Sequence, residues 1–184
     1  MIFCIPHSFS LFLNCIDKKT QQQAHNLTFI FMEKTLVIFK PCTLRRGLVG
    51  EITHRFERKG LQLCGMKMIQ LDENILNIHY AHLSHLPFFQ RIKNAMMVSP
   101  VIVSCWKGKE AVHVVRELTG TTNGRHAATG TIRGDYSMSM QENIVHTSDS
   151  VENAEIEIAR FFKNDEIFEF ETIDMDVFYA NDEI

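Results

Sequence analysis

The sequence contains no G-x-x-x-x-G-K-[ST] stretch, so any nucleotide phosphates would have to be held without a glycine-rich phosphate loop. It has no C-x-x-C pair. Its five cysteines (Cys4, Cys15, Cys42, Cys64 and Cys105) are odd in number and sit among apolar neighbours. That pattern excludes a disulfide frame and a cysteine-built zinc site, and reads as free thiols in a reducing compartment, hence a cytoplasmic protein. A basic excess is also missing: 19 Lys and Arg face 22 Asp and Glu, a net charge of −3. A surface built mainly for nucleic acid is therefore not expected, although a few cations in one pocket would suffice to bind phosphates. Nor is a membrane span. The most apolar stretch, Ile2 to Ile16, is broken by Pro6, His7, Ser8, Ser10 and Asn14 and falls short of the roughly 20 residues a spanning helix needs. No Lys or Arg precedes Lys18 and no small-x-small site follows, which argues against a secretory signal. There is no internal repeat, and no low-complexity tract beyond Gln21-Gln22-Gln23.

What is there is an ordinary globular composition, 45% hydrophobic and 22% charged, over 184 residues, enough for one domain with a full core. Residues 1–31 stand apart as an upstream extension, expected to be disordered or no part of the native protein, with Met32 as the natural start. The domain then spans 32–184, including a C-terminal tail from about 171.

Thr35 to Phe39 is β-branched and apolar, a buried strand closed by Lys40-Pro41. Leu48, Ile52 and Phe56 recur every four residues, one face of a helix that Lys59-Gly60 ends. Leu61 to Leu71 is strand-like, and Asp72 can cap the next helix. That helix is expected to carry His79, Tyr80, His82 and His85. Three imidazoles at i, i+3 and i+6 spread round a helix, which reads as a solvated face rather than a metal site.

A helical segment from Pro87 through Met97 precedes a strand from Val101 to Trp106, ending in a Lys107-Gly108 turn. An amphipathic helix over Glu110 to Thr119 follows. Gly120 to Thr131, with three glycines and four threonines, is a long loop of the kind that usually serves function. Ile144 to Thr147 reads as a short strand. Asp149-x-x-Glu152 reads as a capping box for a helix whose inward stripe is Ala154, Ile158, Phe161 and Phe162. This order points to an α+β sandwich of helices on an antiparallel sheet. The acidic, aromatic tail from Asn164 has no assigned place.

The chemistry centres on Asn143-Ile144-Val145-His146-Thr147-Ser148-Asp149-Ser150, one histidine among small polar residues just before a helix. An imidazole with an ordinary pKa of about 6.5 is mostly uncharged at neutral pH and is a good nucleophile. Upstream, Gly130-Thr131-Ile132-Arg133-Gly134-Asp135 offers a guanidinium flanked by glycines. Downstream lies Glu157, a carboxylate one helix later. Phosphoryl transfer asks for cations around the moving phosphoryl, and Lys40, Arg116 and Arg133 each stand at the end of an element. Each could equally be an ordinary surface charge.

These segments, with Lys34-Thr35-Leu36-Val37-Ile38-Phe39-Lys40-Pro41 and Arg46-Gly47-Leu48-Val49-Gly50-Glu51-Ile52, closely resemble the nucleoside diphosphate kinase family. The resemblance runs from about Met32 to about Phe170, with four motifs in order. It implies a ferredoxin-like βαββαβ core with added helices. It also implies a ping-pong reaction in which His146 takes the γ-phosphoryl of a nucleoside triphosphate, mainly ATP, and passes it to a nucleoside diphosphate. By the same match Arg116, Thr122 and Arg133 hold phosphates, and Lys40 and Asn143 meet the sugar hydroxyl and the transferring end. Phe88 stacks on the base, Tyr80 lies beside Lys40, and Ser148 and Glu157 support the histidine. Mg²⁺ is expected to arrive on the nucleotide, with no protein metal cage, and the chain to form a homo-oligomer, hexamer or tetramer. Two departures stand out: Thr147 where the family usually has Gly or Ala, and Gly124 and Thr129 where the loop often has proline. The alternative is a non-catalytic nucleotide-binding or scaffold protein on the same fold. A nucleic-acid-binding sheet would want exposed aromatics and a basic face, and neither is visible.

Overall fold

The computed structural model describes residues 32–171 and 178–180. Strand β1 (Glu33–Phe39) forms because its β-branched and apolar residues can be buried on both sides: Leu36, Val37, Ile38 and Phe39 are all fully buried. Leu36 and Ile38 point to one face of the sheet, Val37 and Phe39 to the other, as the two-residue period of a strand requires. Each such side chain contributes about 1.5–3 kcal/mol when removed from water. Pro41 then opens a short helix, α1 (Pro41–Arg45), where its missing N–H costs nothing.

The predicted Leu48, Ile52, Phe56 stripe is realised in α2 (Val49–Arg58), whose Ile52 and Phe56 are buried. Gly60, at φ +92°, takes the left-handed position after its cap. Strand β2 (Gln62–Ile69) leads to α3 (Glu73–His79), capped as expected by Asp72, whose side chain accepts from the backbone N of Ile75 at 2.9 Å. After α4 (Phe89–Met97), β3 (Val101–Gly108) lies between β2 and β1, and α5 (Ala111–Thr119) follows. The chain ends its ordered core with α6 (Ile132–Tyr136), β4 (Val145–Thr147) and α7 (Val151–Phe161).

The sheet is antiparallel, in the order β2-β3-β1-β4, with β1 and β3 central. This is the expected α+β, ferredoxin-like arrangement. One core joins β1 and β3 to Leu76, Tyr80, Met96, Phe161 and Phe162, from α3, α4, α7 and their ends. The other joins the opposite sheet face to Ile52, Phe56, Ala111, Val115 and Ile132 from α2, α5 and α6. Among the described residues no helix is long and apolar enough to cross a membrane. Cys42, Cys64 and Cys105 are free thiols, as read from the sequence, whereas Cys4, Cys15 and the 1–31 extension lie outside the described residues.

Several local expectations are corrected. The helix expected to run past His85 ends at His79, with Tyr80 as its cap and a 3-10 turn at Ala81–Leu83. His79 is consequently buried, not on a solvated face, while His82 and His85 are exposed. Strand β3 does not turn at Lys107-Gly108 but continues through them, because Lys107 pairs with Lys34 and Gln62 and its ammonium meets Glu169 at 2.6 Å. The cap of α7 is Ser150, which accepts from the backbone N of Asn153 at 3.1 Å, while Asp149 takes the Asn153 side chain at 2.6 Å. Helix α6 was hidden by Gly134 within it and Gly130 just before it, and is capped by Thr131. The unplaced tail runs beside β2: Phe168 donates its backbone N–H to Cys64 at 2.8 Å, and Glu169 bridges Lys34 and Lys107.

Candidate active site

The C-terminal end of β1, the start of β4 and the loops after α3 and α5 open on one cavity of about 1150 Å³. Strand β4 is brought there by its pairing with the second half of β1, with His146 opposite Ile38. Its entry is strained. Ile144, β-branched and fully buried, sits at φ +74°, a backbone region that costs of order 1–3 kcal/mol for such a residue. Its carbonyl is pinned by the backbone N–H of Lys40 at 3.0 Å and by the hydroxyl of Thr43. The strand thus turns its next side chains where an ordinary extended entry would not.

His146 lines the cavity with its side chain about one-fifth exposed. Its Nε2 lies 3.0 Å from Oε1 of Glu157, on α7. Burial pushes the Glu157 carboxyl up, but hydrogen bonds from His146 and Ser148 and the nearby imidazole charge outweigh it and hold the group at about 2. An ionised carboxylate only accepts, so Nε2 donates and Nδ1 of the neutral ring is left as the free lone pair. Ser148, buried behind the cavity, donates to Oε2 of Glu157 at 2.6 Å and accepts from the backbone N–H of Leu36 at 3.3 Å.

The predicted cations converge. Lys40 donates to Oδ1 of Asn143 at 2.5 Å and to the carbonyl of Gln141 at 3.2 Å. Burial and the repulsion of Arg133 depress its pKa to about 8. Arg133, only 8% exposed, spends all three of its nitrogens on carbonyls: Asn143 at 3.1 Å, Gly120 at 2.7 Å and Val145 at 2.8 Å. It therefore buttresses the loop and β4 while contributing its charge to the cavity. Burial and the Arg116 guanidinium lower its pKa to about 10. Arg116 reaches the cavity from the last turn of α5, and Thr122 from the loop, where its carbonyl accepts from Asn143 at 3.0 Å.

Tyr80 and Phe88 complete the lining on the far side. Phe88 lines the cavity while 38% exposed. Tyr80 is placed less by Lys40 than by rings: it packs edge-on against His79 at 4.6 Å and against His146 at 6.1 Å. Thr147, a departure in the motif, is a buried β4 residue opposite Val37, where a β-branched side chain suits the strand. Gly124, the other departure, is buried against Ser137, whose carbonyl oxygen would lie 2.3 Å from an added Cβ.

All ten predicted site residues thus gather at one place, nine lining the cavity and Ser148 just behind it. Sequence reasoning passed over His79, Arg91 and Arg160, which also bear on the cavity. His79 was discounted as part of a three-histidine helical set. The signal that could have singled it out was its immediate neighbour Tyr80.

The arrangement can bind an anionic chain of phosphates and present a neutral, unprotonated imidazole nitrogen to it. Among the described residues, the one group of three side chains able to hold a metal is His79, His146 and Glu157, with ligand atoms within 4.8 Å of one another. Two nitrogens and one oxygen are not the all-oxygen set that Mg²⁺ takes. The cavity is otherwise rich in cations, with Lys40, Arg91, Arg116, Arg133 and Arg160 in its lining.

Comparison with known proteins agrees with this geometry. The family described as "Nucleoside diphosphate kinase" matches residues 33–167. A nucleoside diphosphate kinase from Parabacteroides distasonis is 69% identical over 152 residues, covering 83% of this chain and 99% of its own length. One from Pyrococcus horikoshii is 46% identical over 141 residues, or 75% and 90% of the two chains. Among solved structures, a halophilic nucleoside diphosphate kinase from Halobacterium salinarum in complex with CDP superposes with a TM-score of 0.78 at 38% identity, covering 80% of this chain and 98% of its own. The apo enzyme from Encephalitozoon cuniculi gives 0.77 at 41% identity, covering 80% and 99%.

Proposed function

The chain belongs to the nucleoside diphosphate kinase family and is a phosphotransferase acting on nucleotides, and from that premise we propose that it works by a ping-pong mechanism through a phosphohistidine at His146. The observation that carries the proposal is the Nε2–Glu157 bond, which leaves Nδ1 as the free lone pair of a ring that lines a cation-rich cavity. That lone pair attacks the γ-phosphorus of a nucleoside triphosphate, mainly ATP. The bond to the β-phosphate oxygen breaks and the diphosphate departs with its electron pair. The Nε2 proton stays on the ring, and Glu157 balances the positive charge that develops there. A β-phosphate oxygen of a second nucleoside diphosphate then attacks phosphorus, and the phosphorus–Nδ1 bond breaks to restore the neutral ring.

Around that step Arg116, Arg133 and Thr122 hold the phosphates. Lys40 and Asn143 exchange part of their mutual hydrogen bond for the sugar hydroxyl and the transferring oxygen. Phe88 stacks on the base without reading its edges, which suits tolerance of many nucleobases. Ser148 fixes Glu157, and Tyr80 flanks the nucleophile. Mg²⁺, held mainly by the phosphates, supplies charge neutralisation when bound.

The functional unit is residues 32–184, with 1–31 dispensable, acting in the cytoplasm as a hexamer or tetramer. The exposed methionines of β2, Met66 at 38% and Met68 at 61%, support an assembly. The test is phosphoenzyme formation with ATP alone, run on the full chain and on a chain begun at Met32. Both should give an acid-labile, base-stable adduct. His146→Ala should give none and lose transfer to a second diphosphate. Normal ATP binding by the wild type without an adduct would overturn the mechanism.

A further inference from the structure

Two histidines face one carboxylate oxygen. Oε1 of Glu157 lies 3.0 Å from Nε2 of His146 and 3.7 Å from Nδ1 of His79. The two rings touch edge to face, with centroids 4.5 Å apart. The carboxylate's other oxygen is engaged by Ser148. A neutral imidazole carries its ring proton on one nitrogen only. Were the His79 proton on Nδ1, that N–H would compete with His146 for Oε1. Each time it won, the nucleophile would be freed to take the tautomer with its own proton on Nδ1, the form that cannot attack.

A third group settles the contest. Nη1 of Arg160, one turn along α7 from Glu157, lies 3.0 Å from Nδ1 of His79. A guanidinium can only donate, so Nδ1 of His79 must accept, and its proton is placed on Nε2. That placement is costly for the ring itself, because Nε2 of His79 is buried without a hydrogen-bond partner among the described residues. An imidazole free to choose would do better with the proton on Nδ1, which faces Glu157 at 3.7 Å and needs only a small shift to bond it. Full protonation does not offer another way out. Burial, with His146 and Arg160 nearby, pushes the pKa of His79 down to about 3.

We propose that Arg160 is a positioning residue for phosphoryl transfer: by donating to Nδ1 of His79 it keeps that ring off Glu157, and so reserves Glu157 for Nε2 of His146. The proposal builds on His146 as the nucleophile, but it concerns a pair, His79 and Arg160, to which that mechanism gives no part.

The experiment uses the full chain and its Arg160→Met and Arg160→Lys variants. Ring-nitrogen chemical shifts of ¹⁵N-histidine protein report the tautomers directly. The wild type should show His79 and His146 both protonated on Nε2, and Arg160→Met should move the His79 proton to Nδ1. The same variant should lower kcat about two- to tenfold, the population change that one hydrogen bond of ordinary strength produces. KM for the triphosphate should stay within about twofold, because ground-state binding is untouched. Arg160→Lys, which still donates, should restore both the shifts and the rate. In a His79→Phe background, which has no ring nitrogen to compete, adding Arg160→Met should change kcat no further.

Unchanged histidine shifts in Arg160→Met would overturn the proposal. So would an equal loss of kcat in the His79→Phe background, or a rise in KM alone, which would make Arg160 a phosphate ligand. Failure of the underlying mechanism looks different: the wild type would then give no phosphoenzyme, whatever the tautomers show.

Discussion

The ammonium of Lys40 lies 2.5 Å from Oδ1 of Asn143, so the cation at the mouth of the cavity is already tied to a neutral partner before any nucleotide arrives. A neutral amide does not compensate the charge, and with burial and Arg133 against it the group titrates near 8.

This gives a prediction about protons. Anionic phosphates favour the charged form, so nucleotide binding should raise the Lys40 pKa, and the complex should take up protons in the window above about 8. Calorimetry in buffers of different ionisation heat should show fractional uptake near pH 8.5 and almost none near pH 6.5 for this group. Lys40→Met should abolish the uptake at pH 8.5. The sign for folding is the reverse of the usual cationic case. A lysine whose folded pKa is depressed costs stability while charged, and that cost is relieved as pH rises from about 8 toward the unfolded value near 10.5.

Glu157→Gln should reduce kcat about ten- to a hundredfold, the worth of one hydrogen bond to a charged group that strengthens as the ring becomes cationic. Substrate KM should change much less. Because Glu157 titrates at about 2, below its ordinary 4.5, the stability it lends is fully present above about pH 4.5 and is lost as pH falls through about 2. Denaturant titrations of the wild type and Glu157→Gln should therefore differ at pH 6 and converge toward pH 2. A difference that persists at pH 2 would mean that packing, not charge, accounts for it.

Gly134→Ala tests the platform beneath Arg133. A methyl group at that position would lie 2.0 Å from the carbonyl oxygen of Ala128, a backbone atom that cannot move without shifting the loop after α5. The expected cost is about 1–3 kcal/mol, the range for forced overpacking. It should appear as a lowered Tm and a raised nucleotide KM, since Arg133 and Thr122 are carried by the displaced segments. Loss of kcat alone, with Tm and KM intact, would contradict this placement.

The parts of the fold that could be read in advance are those where local period and burial agree. β1 is apolar on both faces because it lies second from the edge with helices on either side, and α2 shows its stripe because one face alone is buried. His79 misled for the opposite reason. Its spacing to His82 and His85 is meaningful only if one helix carries all three, and the helix stops at His79. Lys107-Gly108 looked like a turn because a strand's end depends on its partners, here Lys34 and Gln62, as much as on its own residues.

The chain by itself determined which groups are available: one imidazole beside small polar residues, three cations at element ends, a carboxylate on the inner edge of a helix, and the order of segments that commits them to this family. Those are local properties of residue type and spacing, and they survive without coordinates. Only the tertiary structure decided which nitrogen of His146 is free, that Arg133 spends its hydrogen bonds on backbone, and that a second histidine and Arg160 stand behind Glu157. Proton placement and competition for one oxygen depend on distances between residues up to about eighty positions apart, such as His79 and Arg160, and linear spacing carries no information about such distances.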